Sequence, residues 1–250
     1  MTSSAIIVAE RVSKRFGGFL ALKDISISFR SGELTSIIGP NGAGKSTFFN
    51  ILSGSLVPSD GKVMFEGQDV TGLPQHRFVH AGISKSFQIT NVFPQLSAHE
   101  NIRLAAQAMI AGKDFWSRRS QLIETDDSAR ALLAEVGLNG VASRRAGELA
   151  HGQQRALEIA MAMACSPRLL LLDEPTAGMS PEETKEMVHL IEKLARSRTV
   201  ILVEHKMKMV LGISQRVVVL HHGELLADGS PDEIKKDDTV KRVYLGQGHH

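Results

Sequence analysis

The hydrophobic and polar positions of the chain follow the periods of strands in some segments and of helices in others. Residues 25–30 alternate apolar and polar side chains, which is typical of a half-buried antiparallel strand. Residues 168–174 and 199–204 are short apolar runs, the pattern of parallel strands that are covered on both faces. Antiparallel strands followed by alternating strands and helices predict an α/β domain with a small antiparallel layer.

The remaining elements are predicted from apolar spacing and from turn and capping residues. Hairpins are predicted over 61–70, around Gly67, and over 216–229. Helical spacing is found at 45–54, 97–110, 128–138 and 180–196. The last helix has a complete start signal in Ser180 as N-cap, Pro181 and Glu183, and the second has a capping box in Ser97 and Glu100. The helical spacing of apolar residues is interrupted at residues 111–127, so we expect an insertion between helices there.

Composition narrows the functional classes. Hydrophobic residues make up 42% and charged residues 22%, as in an ordinary globular protein. The net charge is +2 and no basic patch stands out, so nucleic acid is not an expected partner. The single cysteine, Cys165, excludes an intramolecular disulfide. No apolar stretch reaches the ~18 residues of a membrane span, so the chain is not expected to cross a membrane.

The segment "GPNGAGKST" at 39–47 fits the phosphate-binding pattern G-x-x-x-x-G-K-[ST]. Its glycines let backbone N–H groups surround phosphate oxygens, and Lys45 can reach the β and γ phosphates. The alternative is a glycine-rich turn with a stray lysine, which the flanking predicted strand and helix disfavour. The predicted nucleotide-binding residues are Gly39, Pro40, Asn41, Gly42, Ala43, Gly44, Lys45, Ser46 and Thr47, and the Ser46 hydroxyl is a predicted Mg²⁺ ligand.

Two acidic residues end the apolar run at 168–174. Asp173 and Glu174 fall at the carboxyl end of a predicted parallel strand, where α/β sheets hold ligands. Asp173 is predicted to hold Mg²⁺ through water, and Glu174 to polarise an attacking water as a general base. The alternative is a pair of exposed turn acids before Pro175.

Three further residues are ambiguous when each is taken alone. His205 follows the strand at 199–204 and is a candidate for a γ-phosphate contact, although a lone histidine is more often structural. Gln88 could complete a Mg²⁺ site or be an ordinary loop residue. Phe16 could stack on a base or belong to the core.

The order of these features resembles the nucleotide-binding subunit of ABC transporters. The phosphate loop, Gln88, the "GQQR" at 152–155, the acidic pair at 173–174 and His205 follow one another as in that family, over about residues 6 to 246. The resemblance implies a P-loop NTPase core with a mixed, mostly parallel sheet, a small antiparallel β layer and a helical signature subdomain. It implies a single domain, with a core at about 1–90 and 160–246 and a helical subdomain at about 91–159.

The resemblance also implies roles and partners. Phe16 stacks on adenine, Gln88 senses the γ phosphate and contacts membrane subunits, Glu174 is the base, and His205 is the switch contact. Two such subunits pair head to tail, so each ATP lies between one phosphate loop and the signature of the other subunit. The implied signature residues are Ala150, His151, Gly152 and Gln153. The implied cofactors are ATP and Mg²⁺, and the partners are a second ATPase subunit, two permeases and, indirectly, an external binding protein.

Several segments resemble one group within the family, the ATPases of importers for branched-chain amino acids and related hydrophobic or amide compounds. They are residues 16–26, 86–102 and 173–184, and the insertion with Phe115 and Trp116, which is typical of the longer of two ATPases. The expected location is the cytoplasmic face of the inner membrane. The alternatives are lipopolysaccharide export and uptake of urea, amides or aromatic acids. A kinase or GTPase leaves "GQQR" unexplained, and no N-K-x-D guanine pattern is present.

Two residues depart from the general family pattern. The signature is commonly Leu-Ser-Gly-Gly-Gln, and here Ala150 replaces the serine and His151 the first glycine. Backbone N–H groups at the helix start remain to bind an anion, and His151 could supply a replacement donor. Ser180 stands where the dimer loop often has aspartate, so it should still cap the next helix, but its contact across the dimer is in doubt.

Overall fold

Two sheets form the framework of the protein. A computed structural model describes residues 4–86, 92–108 and 118–245, with the side chains of 108, 118–123 and 245 excepted. The smaller sheet is antiparallel, with the strand order β2-β1-β4-β5. Its strands are β1 (Ala5–Phe16), β2 (Phe19–Arg30), β4 (Asp60–Phe65) and β5 (Gln68–Asp69).

The larger sheet has six strands in the order β10-β9-β3-β8-β7-β6, and every neighbouring pair is parallel except β9 and β10. Every residue of β3, β7 and β8 is buried, as the apolar runs at 168–174 and 199–204 predict. The strands are β3 (Leu34–Ile38), β6 (Ile83–Ser86), β7 (Leu169–Asp173), β8 (Thr199–Val203), β9 (Arg216–His221) and β10 (Glu224–Gly229).

Helices connect these strands and cover the larger sheet. They are α1 (Lys45–Leu52), α2 (Gln75–Ala81), α3 (Ala98–Ala108), α4 (Arg118–Glu135), α5 (His151–Met163), α6 (Pro181–Ala195), α7 (Met207–Ile213), α8 (Pro231–Lys236) and α9 (Asp238–Leu245). Short 3₁₀ turns at Asn139–Val141 and Ala146–Glu148 lead into α5. Within the described ranges, no helix combines the length and the hydrophobicity that crossing a bilayer requires.

Each face of the larger sheet has its own hydrophobic core. On one face, Phe48 and Phe49 of α1 pack with Leu171 of β7 and with Phe29 of the antiparallel sheet. On the other face, residues of β3, β7 and β8 pack with α3, α4, α5 and α6, including Leu157 at 0% exposure. The predicted α/β class, with a mixed and mostly parallel sheet and a small antiparallel layer, is therefore confirmed.

The predicted hairpins and the start of α6 are confirmed. β4 and β5 turn at Gly67, and β9 and β10 are joined through His222 and Gly223. Ser180 Oγ accepts the Glu183 N–H at 3.2 Å, and the Glu183 carboxylate accepts the Ser180 N–H at 3.0 Å. These reciprocal hydrogen bonds form the predicted capping box.

The predicted boundary of the insertion is wrong. Residues 118–127 are helical and continuous with the segment 128–135, so a single helix, α4, replaces the end of the predicted insertion. The error arose because α4 is polar around most of its first half and so lacks an apolar stripe there. Its second half packs into the core through Ala129 and Leu133. Phe115 and Trp116 lie outside the described residues.

The capping box predicted for the second helix forms only in part. Ser97 Oγ accepts the Glu100 N–H at 3.1 Å, as predicted. The Glu100 carboxylate is bound instead by the Arg103 guanidinium at 2.6 Å, one turn further along α3. Of the two hydrogen bonds of a capping box, only the one to Ser97 Oγ is therefore observed at the start of α3.

The C-terminal helix packs beneath the strand that leads into the phosphate loop. The ring of Tyr244 in α9 lies against a cluster that includes Ile38, the last residue of β3, and Val219 of β9. The Tyr244 hydroxyl oxygen is buried, and burial raises the pKa of this phenol to about 12, with a smaller opposing effect from the Gly39 backbone. The phosphate loop is thus supported by residues near the other end of the chain.

This packing can be measured because Tyr244 is the one tyrosine of the sequence. The near-ultraviolet absorbance of tyrosinate then reports this residue alone. We expect a titration midpoint at about 12 in the folded protein and near the usual 10.0 in urea. Because the folded pKa lies above the unfolded one, the phenol should make stability fall as pH rises from the lower value toward the higher. A native midpoint near the usual value would contradict the packing of α9.

Candidate functional site

The loop between β3 and α1 is shaped by glycines. Gly44 has φ 96° and precedes α1 as its N-cap, and no side chain caps the helix. A Cβ on Gly44 would lie 2.7 Å from Leu22 Cδ2 and 2.9 Å from the Ala21 carbonyl oxygen, so only glycine fits there. The first turn of α1 contains no acidic side chain. The loop therefore presents N–H groups and a positive helix end to an anion.

Lys45 is held inside this loop. Its Nζ donates to the carbonyl oxygens of Gly39 at 2.7 Å and Pro40 at 3.0 Å. Burial lowers the pKa of Lys45, while the charges of Glu174 and Asp173 raise it. The structure therefore brings the predicted lysine and the predicted acidic pair into one electrostatic site. Ser46 is exposed and Thr47 is half-buried beside it.

Asp173 ends β7 and is paired with a lysine that sequence reasoning missed. Asp173 is 3% exposed, and its Oδ2 lies 3.7 Å from Lys85 Nζ on β6. Lys85 also donates to Asn50 Oδ1 of α1 at 2.6 Å. Burial raises the pKa of Asp173, the Lys85 charge opposes this, and the Glu174 charge adds to it. Burial lowers the pKa of Lys85 against the opposite effect of Asp173. The ion pair between Lys85 and Asp173 therefore compensates part of the cost of burying the Asp173 carboxylate.

Glu174 has an unusual backbone conformation. Its φ is 43°, in the left-handed region that a residue with a Cβ rarely adopts. Its N–H donates to the Val203 carbonyl oxygen at 2.9 Å, which ties it to β8. Such strain persists only where surrounding contacts impose it, and it is common at functional sites. The backbone thus turns sharply between Asp173 and Glu174.

Glu204, the residue before His205, is a second site residue that sequence reasoning missed. It is 0% exposed, and its carboxylate accepts the Thr176 hydroxyl at 2.6 Å and the Thr176 N–H at 3.1 Å. It also accepts the His205 N–H at 3.2 Å, while the His205 side chain is exposed. One buried carboxylate therefore links the loop after Glu174 to the histidine. Its position at the end of an apolar run, like that of Asp173, was the available signal.

Phe16 is at the tip of the β1–β2 hairpin. The residue is 47% exposed, and Lys14 Nζ lies 5.3 Å from the ring centre. The ring is therefore available to a planar ligand and is not part of the core, which was the alternative. Gln88 lies outside the described residues, so its predicted contacts stay predictions.

The predicted signature residues form the start of α5. Ala150 is the N-cap, and its N–H donates to Gln153 Oε1 at 3.2 Å. His151 Nε2 lies 3.2 Å from the Ala177 carbonyl oxygen, so it contacts the loop after Glu174 of its own chain. The Gly152 N–H donates to Glu183 Oε1 at 3.0 Å. Across the described ranges, no hydrogen bond joins these residues to the phosphate loop of the same chain.

Arg155 connects α5 to the acidic strand end. Its guanidinium donates to the Asp173 carbonyl oxygen and, at 2.6 Å, to Glu158 Oε2. Arg155 and Glu158 are 7% and 6% exposed, so both partners of this ion pair are buried. The "GQQR" motif thus contributes a structural arginine as well as a helix start.

These elements together can bind a polyphosphate and activate a water molecule. The loop supplies N–H donors and the Lys45 ammonium, Asp173 can carry a cation, and Glu174 is a carboxylate near both. No cluster of three potential metal-ligating His, Cys, Asp or Glu residues occurs in the part of the chain that is described, so a metal here would depend on phosphate oxygens and water.

Comparison with known proteins gives the family. The ABC transporter family matches residues 22–177, and the branched-chain amino acid ATP-binding cassette transporter family matches residues 224–250. The chain is 40% identical to the high-affinity branched-chain amino acid transport ATP-binding protein BraF of Pseudomonas aeruginosa, covering 98% of this chain and 99% of BraF. It is 33% identical to the lipopolysaccharide export system ATP-binding protein LptB of Escherichia coli, covering 97% and 98%.

Solved structures agree with this result. The ADP conformation of MJ1267, an ATP-binding cassette of an ABC transporter, superimposes with a TM-score of 0.85 at 30% identity, covering 98% of this chain and 100% of that one. The dimeric cassette MJ0796 bound to ADP and Pi gives a TM-score of 0.76 at 27% identity, covering 90% and 98%. The chain therefore belongs to the ABC transporter family, and it is a nucleotide-binding, ATP-hydrolysing subunit of that family.

Proposed function

We propose that this ATPase energises an importer for branched-chain or related hydrophobic amino acids. The observation that carries the proposal is the match of residues 224–250 to a family of branched-chain amino acid cassettes. The described part of this segment includes α9, and Tyr244 of α9 packs against Ile38, the residue before the phosphate loop. Lipopolysaccharide export is the alternative, and uptake of urea, amides or aromatic acids is a further one.

Hydrolysis is proposed to use the groups at the edge of the larger sheet. The phosphate loop binds ATP through its N–H groups, and Lys45 leaves its bonds to Gly39 and Pro40 to contact the β and γ phosphates. Glu174 accepts a proton from the attacking water, in line with the bond to the leaving phosphate. His205 donates to the γ phosphate, and Glu204 holds the His205 backbone in place.

The residues present fit a Mg²⁺ ion. Asp173 is a buried carboxylate that lies beside the cation of Lys85. Ser46 is an exposed residue with a hydroxyl at the start of α1. These are the oxygen donors that Mg²⁺ prefers. We propose that Ser46 and Asp173 hold the ion, with Gln88 as a further ligand. When bound, Mg²⁺ neutralises charge on the β and γ phosphates.

The composite site is proposed to need a second ATPase subunit. Within the described residues, the start of α5, from Ala150 to Gln153, forms no hydrogen bond to the phosphate loop of its own chain, which supports a role at the ATP of a neighbour. Phe16 is proposed to stack on the adenine, since its ring is exposed. The partner subunit is either a second copy or, as the subfamily resemblance suggests, a different and shorter ATPase.

Two membrane permeases and an external binding protein complete the proposed importer, and the ATPase lies at the cytoplasmic face of the inner membrane. Gln88 and the segment 90–100 are proposed to transmit motion to the permeases. A cavity of about 210 Å³ lies between α2, α3 and α5, and Val79 and Met161 are among the side chains that line it. We propose residues of about 91–159 as the helical subdomain, and the rest as the core, of one domain.

Replacing Glu174 by glutamine should separate binding from hydrolysis. The amide keeps the size of the side chain but cannot take a proton, so ATP hydrolysis should fall by at least about a hundredfold. The affinity for a fluorescent ATP analogue should stay within about twofold of the parent value. Glu182→Gln, an exposed glutamate of α6, serves as the control and should keep full activity. Parent-like turnover by the Glu174 variant would remove this residue as the base.

Replacing Lys45 by alanine should weaken ATP binding. The loss of a charge-assisted contact to phosphate should raise the dissociation constant of ATP by about tenfold or more, measured by titration calorimetry. Lys62→Ala removes an exposed lysine as the control. Thermal unfolding of both variants checks that the loop still folds. An unchanged ATP affinity would contradict the proposed phosphate contact.

The transport partner can be identified by co-purification. A chain bearing an affinity tag, isolated with its native membrane partners, should recover a shorter ATPase and permeases encoded with a substrate-binding protein for hydrophobic amino acids. A second measurement is the rate of ATP hydrolysis by the recovered complex, which that binding protein should stimulate when it is loaded with leucine. Recovery of a lipopolysaccharide-export permease instead would overturn the importer assignment and leave the ATPase assignment intact.

A further inference from the structure

The signature helix α5 has no N-cap side chain that can accept a hydrogen bond from its first N–H groups. Its N-cap is Ala150, whose methyl group cannot accept a hydrogen bond. The first N–H groups of a helix have no partner within the helix, and a serine at the N-cap would normally satisfy one of them. The first N–H groups of α5 are therefore left to water or to an acceptor from another part of the protein.

Glu183 of α6 supplies that acceptor. Its Oε1 accepts the Gly152 N–H at 3.0 Å, from the second residue of α5. Its Oε2 accepts the Ser180 N–H at 3.0 Å, at the start of its own helix. The N–H groups of Gly152 and then of Ser180 lower the pKa of Glu183, so the carboxylate is charged at neutral pH. One carboxylate thus lies between the positive ends of two helices.

The close approach depends on the glycine. A Cβ built on Gly152 would lie 3.1 Å from Glu183 Oε1 and 3.3 Å from its Cγ, which is tighter than ordinary contacts. A second link runs in parallel, because the His151 ring contacts the Ala177 carbonyl oxygen at 3.2 Å. A carbonyl oxygen only accepts, so Nε2 of His151 carries the proton. Both links tie the start of α5 to the segment from Glu174 to Ser180.

We propose that Glu183 is a positioning residue for hydrolysis, which replaces the missing serine cap and fixes the signature helix relative to the loop that follows Glu174. The inference rests on the proposed function, in which the start of α5 faces the ATP bound by a second subunit. Through this contact, the orientation of the signature depends on the same loop that carries the general base. Glu183 thereby takes the capping role of the hydroxyl that Ala150 lacks.

The first test measures the helix start directly in the isolated subunit. Glu183→Ala should speed hydrogen exchange of the amides at 152–154 by about tenfold, which is the effect expected from losing a cap. Glu182→Ala, which removes the neighbouring exposed acid of the same helix turn, should leave this exchange unchanged. Unchanged exchange in the Glu183 variant would overturn the proposal.

The second test uses rescue. Glu183→Ala should lower kcat about tenfold, while the affinity of the isolated subunit for a fluorescent ATP analogue stays the same. Adding Ala150→Ser restores a cap within α5 and should return most of the exchange protection, while kcat should stay low because the contact from Gly152 to Glu183 is still absent. In the parent chain, where Glu183 already accepts the Gly152 N–H, Ala150→Ser should alter the exchange of the amides at 152–154 by no more than about threefold. Failure of Ala150→Ser to restore the protection would contradict the cap, and a full return of kcat would contradict the positioning role.

A third measurement separates this inference from the proposed function. In a Glu174→Gln background, ATP should drive dimer formation, measured by light scattering after size exclusion, and Glu183→Ala should weaken it. Loss of the exchange protection without any effect on kcat or on the dimer would show a structural contact only, and would overturn the positioning role. A parent Glu174→Gln chain that stays monomeric alone and with its partner ATPase would instead overturn the composite site.

Discussion

The whole site depends on the parallel register of three neighbouring strands. Ile37 of β3 and Asp173 of β7 both pair with Val203 of β8, and β3 continues by one residue to Ile38, so the three strands end within one residue of the same level. The next residues of each strand are therefore the start of the phosphate loop, Glu174, and the pair Glu204–His205. A shift of one residue would turn these side chains to the opposite face of the sheet. The complete burial of all three strands fixes that register, because a slip would expose or misplace the core side chains.

The parts of the site that follow from local sequence could be predicted. The phosphate loop, the acidic pair at 173–174 and the capping box of α6 are each contained in a few consecutive residues, with a strand or helix beside them. The start of α4 could not be predicted, since a helix that is polar on most sides gives no periodic signal until its packing is known. The strand β1 was also missed, because its apolar run is short and the pairing with β2 and β4 is not visible in the sequence.

The missed site residues act through contacts between distant parts of the chain. Lys85 meets Asp173, Arg155 meets the Asp173 backbone, and Glu204 meets Thr176, in each case from another element. Glu183 is the instructive case. Its capping contact to Ser180 is local and was predicted, whereas its other oxygen bonds Gly152, 31 residues earlier in the chain. The local sequence pattern therefore predicts the hydrogen bond of one Glu183 oxygen, whereas the partner of the other oxygen depends on how α5 and α6 pack.

The support of the phosphate loop by the end of the chain has a consequence for synthesis. The Gly223 N–H donates to the Ala43 carbonyl oxygen, and Tyr244 packs under the strand that enters the loop. Residues 39–47 are synthesised before Gly223 and Tyr244, so the loop emerges before these supports. A chain that stops short of Gly223 therefore carries the nucleotide-binding sequence without two of the contacts that support its loop.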